Sequence, residues 1–440
     1  MLADLLRSAM NEVTVKSDPR LGSQITVEQY RSWIQTRITR RRLDLSSATR
    51  MISLHLAKGS VRRLLTDFIS TQFSDISVDG HVLFGVHEVL GGIVGPASID
   101  EITDRLLELA LVYGPDSAAS IFLRAIEDPS CEYQAYTLLD GISVEEPIEI
   151  FDGVRLSPLP RSTGDLPPHL PEFWGHSGVS DIELLGGVLL EVDRFLTPRF
   201  APPAKDYDTL TMNRKHFSAG VRSSDLDAFS VQWFCRALSL ASRTTVRDTI
   251  SWNHVPFQEI GQRIHSSQGW SSIHRYGRLS RVRLEERVGE VVSGTRSRYQ
   301  TIAEASPELM ERLNIPIERW MESGASKGML DRAIDLGIAL ESFYVNDGGE
   351  SIQYKLGVRA ARHLRDSLDE RKKVKWQMTR AYGFRSEAAH GGTISGKKLT
   401  YDDKQHTVEE LFEEARDLCA EGIDKAISEG VPDWDEVMFS

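Results

Sequence analysis

Apolar residues recur at helical spacing through the last third of the chain. Met329, Ala333, Leu336, Leu340 and Phe343 predict one helix, and Ile352, Leu356, Ala360 and Leu364 a second. Val374, Met378, Ala381 and Tyr382 predict a third, with basic residues around the stripe. Val408, Leu411, Ala415 and Leu418 predict a fourth, with Glu409, Glu413 and Asp417 outward. The starts and stops agree with this reading. Ser306-Pro307-Glu308 is a helix start, with a capping hydroxyl, proline in the first turn and an acid at the positive dipole end. Asn346-Asp-Gly-Gly349 is a stop, and Thr407-Val-Glu-Glu410 a capping box. Residues 300–440 therefore read as a helical bundle with short connections.

Residues 1–130 read mainly as helices. Thr26-Val-Glu-Gln29 is a capping-box pattern followed by Tyr30, Ile34 and Ile38, and helical patterns recur near 46–72 and 99–128, where Ile102, Leu106, Leu107 and Ala110 share a face. From Cys131 the pattern changes. Asp140-Gly141 and Asp152-Gly153 lie between short runs rich in branched and aromatic residues, which predicts hairpins. A proline-rich loop follows, then the run GGVLLEV, a helix over 224–241 carrying Phe229, Trp233, Ala237 and Leu240, and strands near 248–254 and 277–284. The expected fold class is α+β and predominantly α-helical: an N-terminal helical region (1–130), a mixed strand and helix middle domain (131–299), and the C-terminal bundle (300–440).

A chain of 440 residues exceeds one core and calls for two or three domains. There is no run of about 18 uncharged apolar residues, so no membrane span is expected. The segment MLADLLRSAMNEV lacks the basic start and cleavage site of a secretion signal. Cys131, Cys235 and Cys419 are far apart, which suits buried thiols in a reducing, cytoplasmic setting. A net charge of −12 argues against nonspecific coating of nucleic acid. Locally the sign reverses. Lys355, Arg359, Arg362, Arg365, Arg371, Lys372, Lys373, Lys375, Arg380 and Arg385 face only Asp366, Asp369 and Glu370. The other basic clusters, Arg37 with Arg40, Arg41 and Arg42, and Arg62 with Arg63, read as solvated helix faces.

Within that basic stretch Arg385 and His390 are the candidates for chemistry. Arginine is a permanent, bidentate phosphate ligand, and histidine moves protons near neutral pH. Five residues of regular helix turn the chain through roughly 500°, so the two side chains would point some 140° apart. Either the helix ends near His390, which Gly391-Gly392 permits, or two copies each contribute one motif. His363 reads as a helix-surface histidine. His169 and His176, near Glu172 in the proline-rich loop, have no metal-ligand spacing, so neither a metal nor a cofactor is expected.

The segments RAIDLGIALESFYV, SIQYKLGVRAARHL and FRSEAAHGG resemble the Apea-like branch of the HEPN superfamily over about 327–430. The hallmark of that family, Arg followed at four to six residues by His, matches Arg385-Ser-Glu-Ala-Ala-His390. Ser386 stands where many members have Asn, Asp or His. Arg50-Met-Ile-Ser-Leu-His55 and Arg247 with His254 fit the same spacing without the helix, glycine stop and basic neighbourhood that surround Arg385. The resemblance implies a cytoplasmic, metal-independent RNA endonuclease of bacterial defence or growth arrest. It implies a homodimer through the C-terminal bundle that composes the site. In that reading His390 moves the proton of a ribose 2′-hydroxyl, Arg385 holds the scissile phosphate and Ser386 orients one of them. Glu341, Lys355, Arg359, Arg362 and Tyr382 would contact substrate or support the site, Glu341 and Arg359 as an ion pair. Two other readings are open: a non-catalytic HEPN module that binds nucleic acid or a partner protein, and a metal hydrolase built on the middle-region histidines.

Overall fold

The computed structural model describes residues 1–17, 26–40, 52–56, 59–77, 80–84, 96–128, 130–159, 187–197, 199–201, 218–254, 279, 282–284, 287–325, 328–345, 351–396 and 399–439. The fold is mixed α+β with helices predominant. The chain forms two compact units that do not follow sequence order. The first takes Met1–Thr137, Phe151–Phe229 and Ile250–Ser271, and the second Leu138–Ile150, Ser230–Thr249 and Ser272–Ser440. The expected middle region is thus divided between them.

The first unit begins α1 (Leu2–Met10), β1 (Val13–Ser17), α2 (Val27–Arg40), β2 (Ile52–Leu56), α3 (Ser60–Gln72), β3 (His81–Phe84), β4 (Pro96–Ser98), α4 (Ile99–Tyr113) and α5 (Pro115–Glu127). Strands in this expected helical region correct the sequence reading. The physical reason is legible: Val13 and Val15, and Ile52, Leu54 and Leu56, alternate with polar residues at the period of a strand. β1 and β2 pair antiparallel from Val13↔Leu56 to Ser17↔Ile52. The helical pattern of 99–128 is two helices, because Gly114 ends α4 at φ 87° and Pro115 opens α5. Ser98 and Glu101 close a capping box on α4. Leu6, Leu65, Ile69, Leu106 and Phe122 form the core of the four helices α1, α3, α4 and α5. Phe73 meets Phe122 and Phe200 edge-on at centroid distances of 6.1 and 5.0 Å.

Next come β5 (Cys131–Asp140), β6 (Ile142–Ser143), β7 (Ile148–Phe151), β8 (Val154–Pro158), β9 (Val188–Thr197), β10 (Phe200–Ala201) and β11 (Ser218–Val221). In the first unit β9 pairs antiparallel with β8 along its first half and with β11 along its second, with Leu190 opposite Leu156 and Leu196 opposite Ala219. Asp152-Gly153 makes the two-residue turn between β7 and β8, as expected. Asp140-Gly141 does not make a hairpin. β6 instead pairs in parallel with β13 (Val282–Arg283), and Gly141, at φ 99°, lies where an added Cβ would stand 1.9 Å from the Thr245 carbonyl oxygen.

The second unit is the helical bundle: α6 (Val231–Ser242), α7 (Val288–Glu304), α8 (Pro307–Ala325), α9 (Met329–Tyr344), α10 (Ile352–Leu364), α11 (Leu368–Gly391), α12 (Val408–Glu429) and α13 (Trp434–Phe439), with β14 (Thr400–Tyr401) and β15 (Lys404–Gln405) as a small hairpin before α12. The strand β12 (Arg247–His254) follows α6. α6 begins later than Ser224 because Asp225 and its serine neighbours bond locally, and Ser230 provides the cap. The expected caps at Ser306 and Thr407 are present, the second as a full capping box. Asp424 on α12 takes the Arg298 guanidinium from α7 at 2.7 and 2.8 Å and Arg243 at 2.8 Å. The contact with Arg298 is bidentate, and Arg243 itself is the left-handed C-cap of α6. Cys131, Cys235 and Cys419 are all buried free thiols.

Candidate functional site

The 24-residue helix α11 is the element on which the candidate residues stand. Ser367 caps its start by accepting from the Glu370 N–H, with Asp369 and Glu370 in the first turn. Its buried positions, Val374, Gln377, Met378, Ala381, Phe384 and Ala388, form one long stripe packed between α9 and α10. The helix continues without interruption through Arg385 to Gly391, where Gly392 closes it at φ 62°. No break in the backbone separates Tyr382 from Arg385 or His390.

Arg385 lies against α9. Gly337 there makes the approach possible, because an added Cβ would stand 2.4 to 2.8 Å from three carbons of the Arg385 side chain. The guanidinium ends beside Glu341, one helical turn further along α9. Arg385 Nη1 is 2.6 Å from Glu341 Oε2 and donates to Tyr382 Oη at 2.8 Å. Tyr382 Oη in turn donates to the same Glu341 oxygen at 2.9 Å, closing a triangle. The Arg385 guanidinium also stands 5.5 Å from the centre of the Tyr382 ring. Burial, reinforced by the hydrogen bond to Glu341, raises the Tyr382 hydroxyl above its ordinary pKa. The Arg385 and Glu341 side chains keep about a third of their surface in solvent, at 34% and 31%. An anion can reach this guanidinium.

The remaining expected residues fall in different places. His390 is exposed in the last turn of α11, and Ser386 is exposed beside Arg385. On a regular helix His390 lies about 7.5 Å along the axis from Arg385 and some 140° around it. Arg359 does not pair with Glu341. It is buried, donating to the Tyr344 carbonyl at 2.9 Å and to Asp435 at 3.3 Å, so it braces α9 and α13. Arg362 donates to the Val437 carbonyl at 3.3 Å, and Lys355 is half-buried on α10. Neither is part of the triangle. His363 is buried, contrary to the surface expectation. Its ring lies between Phe343, Tyr344 and Trp434, at centroid distances of 6.0, 6.1 and 5.5 Å. Burial first, and then Lys425, push its pKa down to about 4.

Two details of the site escaped the sequence reading. One is the hydrogen bonding of the hydroxyl of Tyr382, a residue expected both in the apolar stripe and in support of the site; its i, i+3 spacing to Arg385 was the available signal. The other is Gly337, four residues before Glu341 on the same face of α9. No group of three or more metal-ligating side chains occurs among the described residues, and His169, Glu172 and His176 lie outside them. Among the described residues, no helix is long and apolar enough to cross a membrane. Comparison with known protein families, with curated proteins and with solved structures finds no match to this chain.

Proposed function

We propose that this chain is a metal-independent RNA endonuclease of the HEPN type, with Arg385 and His390 as its catalytic pair. The observation that carries the reading is the setting of the pair. Residues 352–364 and 371–385, on the packed helices α10 and α11, hold nine Lys and Arg and no Asp or Glu, in a chain of net charge −12. A solvent-reachable arginine and an exposed histidine on that basic background suit a phosphodiester. The 2′-oxygen of the ribose bonds to phosphorus and the bond to the 5′-oxygen breaks. One His390 imidazole accepts the 2′-hydroxyl proton, and the imidazole of a second copy returns one to the leaving oxygen. Arg385 neutralises the charge that accumulates on the phosphate. The helix geometry separates Arg385 from His390, and pairing of two bundles supplies the missing partner to each. The products carry a 2′,3′-cyclic phosphate and a 5′-hydroxyl, and DNA does not react.

Incubation with total RNA tests this, with wild type, His390→Ala and Arg385→Ala compared and the cut ends mapped. Cleavage that persists in chelator and disappears in both variants supports the proposal. Equal cleavage by wild type and His390→Ala removes it.

A second reading has its own support. The Arg385 guanidinium is already engaged by Glu341 and Tyr382, and Ser386 offers the motif no bonded partner. A non-catalytic module that binds RNA or a partner protein fits those facts. RNA shifted in a gel at unchanged length, with and without chelator, would favour it.

A further inference from the structure

Most aromatic side chains of the second unit are buried, and Tyr354 is an exception. It stands at the start of α10 with 56% of its surface exposed. The ring is not loose: Lys375 of α11 places its Nζ 4.6 Å from the ring centre. Beside it, the Gln353 amide donates to the Thr379 carbonyl at 2.8 Å, which fixes this end of α10 along α11. Arg380, the next residue of α11, is exposed, as is Lys373 on the preceding turns. An ordered, exposed aromatic ring is thus met by a cation on a stretch of two packed helices, residues 352–364 and 371–385, that holds no Asp or Glu.

We infer that Tyr354, with Lys375, forms a stacking subsite for an unpaired base of single-stranded nucleic acid. The inference rests on the RNA reading of this chain and adds to it where the strand is held. Every base has an apolar face that stacks on an aromatic ring, and cations beside the ring take the flanking phosphates. A duplex keeps its bases stacked within itself and cannot use the subsite. Nor does stacking read the 2′-hydroxyl, so single-stranded DNA binds here as RNA does, although only RNA can be cut.

The test is fluorescence anisotropy with the full chain carrying His390→Ala, so that binding is read without cutting. The probes are a labelled 12-nucleotide RNA of mixed sequence, the DNA of the same sequence, and the blunt RNA duplex. Tyr354→Ala weakens both single strands by about tenfold, within the range of one lost base stack, and leaves the duplex unchanged. Tyr354→Trp restores binding, whereas Tyr354→Leu does not. Lys375→Gln lowers the slope of log affinity against log salt by roughly 0.7, the value of one phosphate contact on a single strand, and Tyr354→Ala leaves that slope alone. Thermal melts of each variant check folding. Equal binding by Tyr354→Ala and its parent, or equal loss on the duplex, overturns the subsite. Cleavage retained in such a case would leave the nuclease proposal standing, and binding through Tyr354 without cleavage would leave the subsite standing.

Discussion

Glu341 and Arg385 form an ion pair, 2.6 Å between Oε2 and Nη1, between two packed helices of the bundle. Under the nuclease proposal the carboxylate competes with a phosphate oxygen for this guanidinium. A charged ligand must therefore displace it or share the guanidinium with it. Glu341→Gln removes the competing charge and keeps the shape. Because both groups are about one-third exposed, the pair is worth no more than a surface bridge, about 0.2–1 kcal/mol. RNA affinity should rise by about two- to fivefold, as read in a gel shift at fixed salt. An unchanged or lower affinity would mean that Glu341 does not compete for Arg385.

Exposure of His390 separates chemistry from folding. His390→Ala should leave the melting temperature unchanged and lower cleavage at least a hundredfold, the lower end of what a positioned acid–base group contributes. Arg385→Lys should not restore activity, because an ammonium cannot make the guanidinium's paired contacts. Rates on a labelled RNA with both variants check the two statements together.

Gly337→Ala should act on Arg385 from the neighbouring helix. The added methyl would stand within 2.8 Å of three side-chain carbons of Arg385, including the Cβ that the helix holds fixed. The helices must part or the arginine must turn away, at a cost of about 1–3 kcal/mol. A lower denaturant midpoint with reduced RNA binding is the expected result. Wild-type stability would show that the helices approach less closely than this contact requires.

His363 gives the bundle a pH dependence whose sign follows from its depressed pKa. Unfolded, the imidazole titrates near 6.5; folded, burial and Lys425 hold it at about 4, although Glu421 pulls the other way. Between those values the unfolded chain binds more protons than the folded one. Stability is full above about pH 6.5, declines as pH falls to about 4, and then levels, with a total near 3 kcal/mol. His363→Phe, among the rings of Phe343, Tyr344 and Trp434, should flatten that decline. Thermal melts at pH 7, 5.5 and 4 measure it, and an unaltered slope would assign the acid loss to other groups.

The bundle and its caps were legible in the sequence because apolar spacing and capping residues are local signals. Arg385 and His390 were legible as a pair on one element for the same reason. What neighbouring helices present to one another was not. Arg359 and Arg385 are both arginines near a helix stripe, and nothing in the spacing tells that the first is buried against Tyr344 and the second meets Glu341. His363 was placed on the surface because it lies in the basic stretch, while the rings that cover it come from α9 and α13. The strands near the N-terminus were visible as alternation and were overridden by the longer helical patterns beside them. The Gly141 contact with Thr245 joins residues a hundred positions apart, which no local pattern encodes.

The unbroken course of α11 past Arg385 and His390 has a kinetic corollary under the nuclease proposal. A lone molecule would present an incomplete apparatus, so in dilute solution the rate would climb with the square of protein concentration. Abundance inside the cell would then work as a threshold: scarce copies stay harmless, and a modest rise in their number brings a disproportionate burst of cutting.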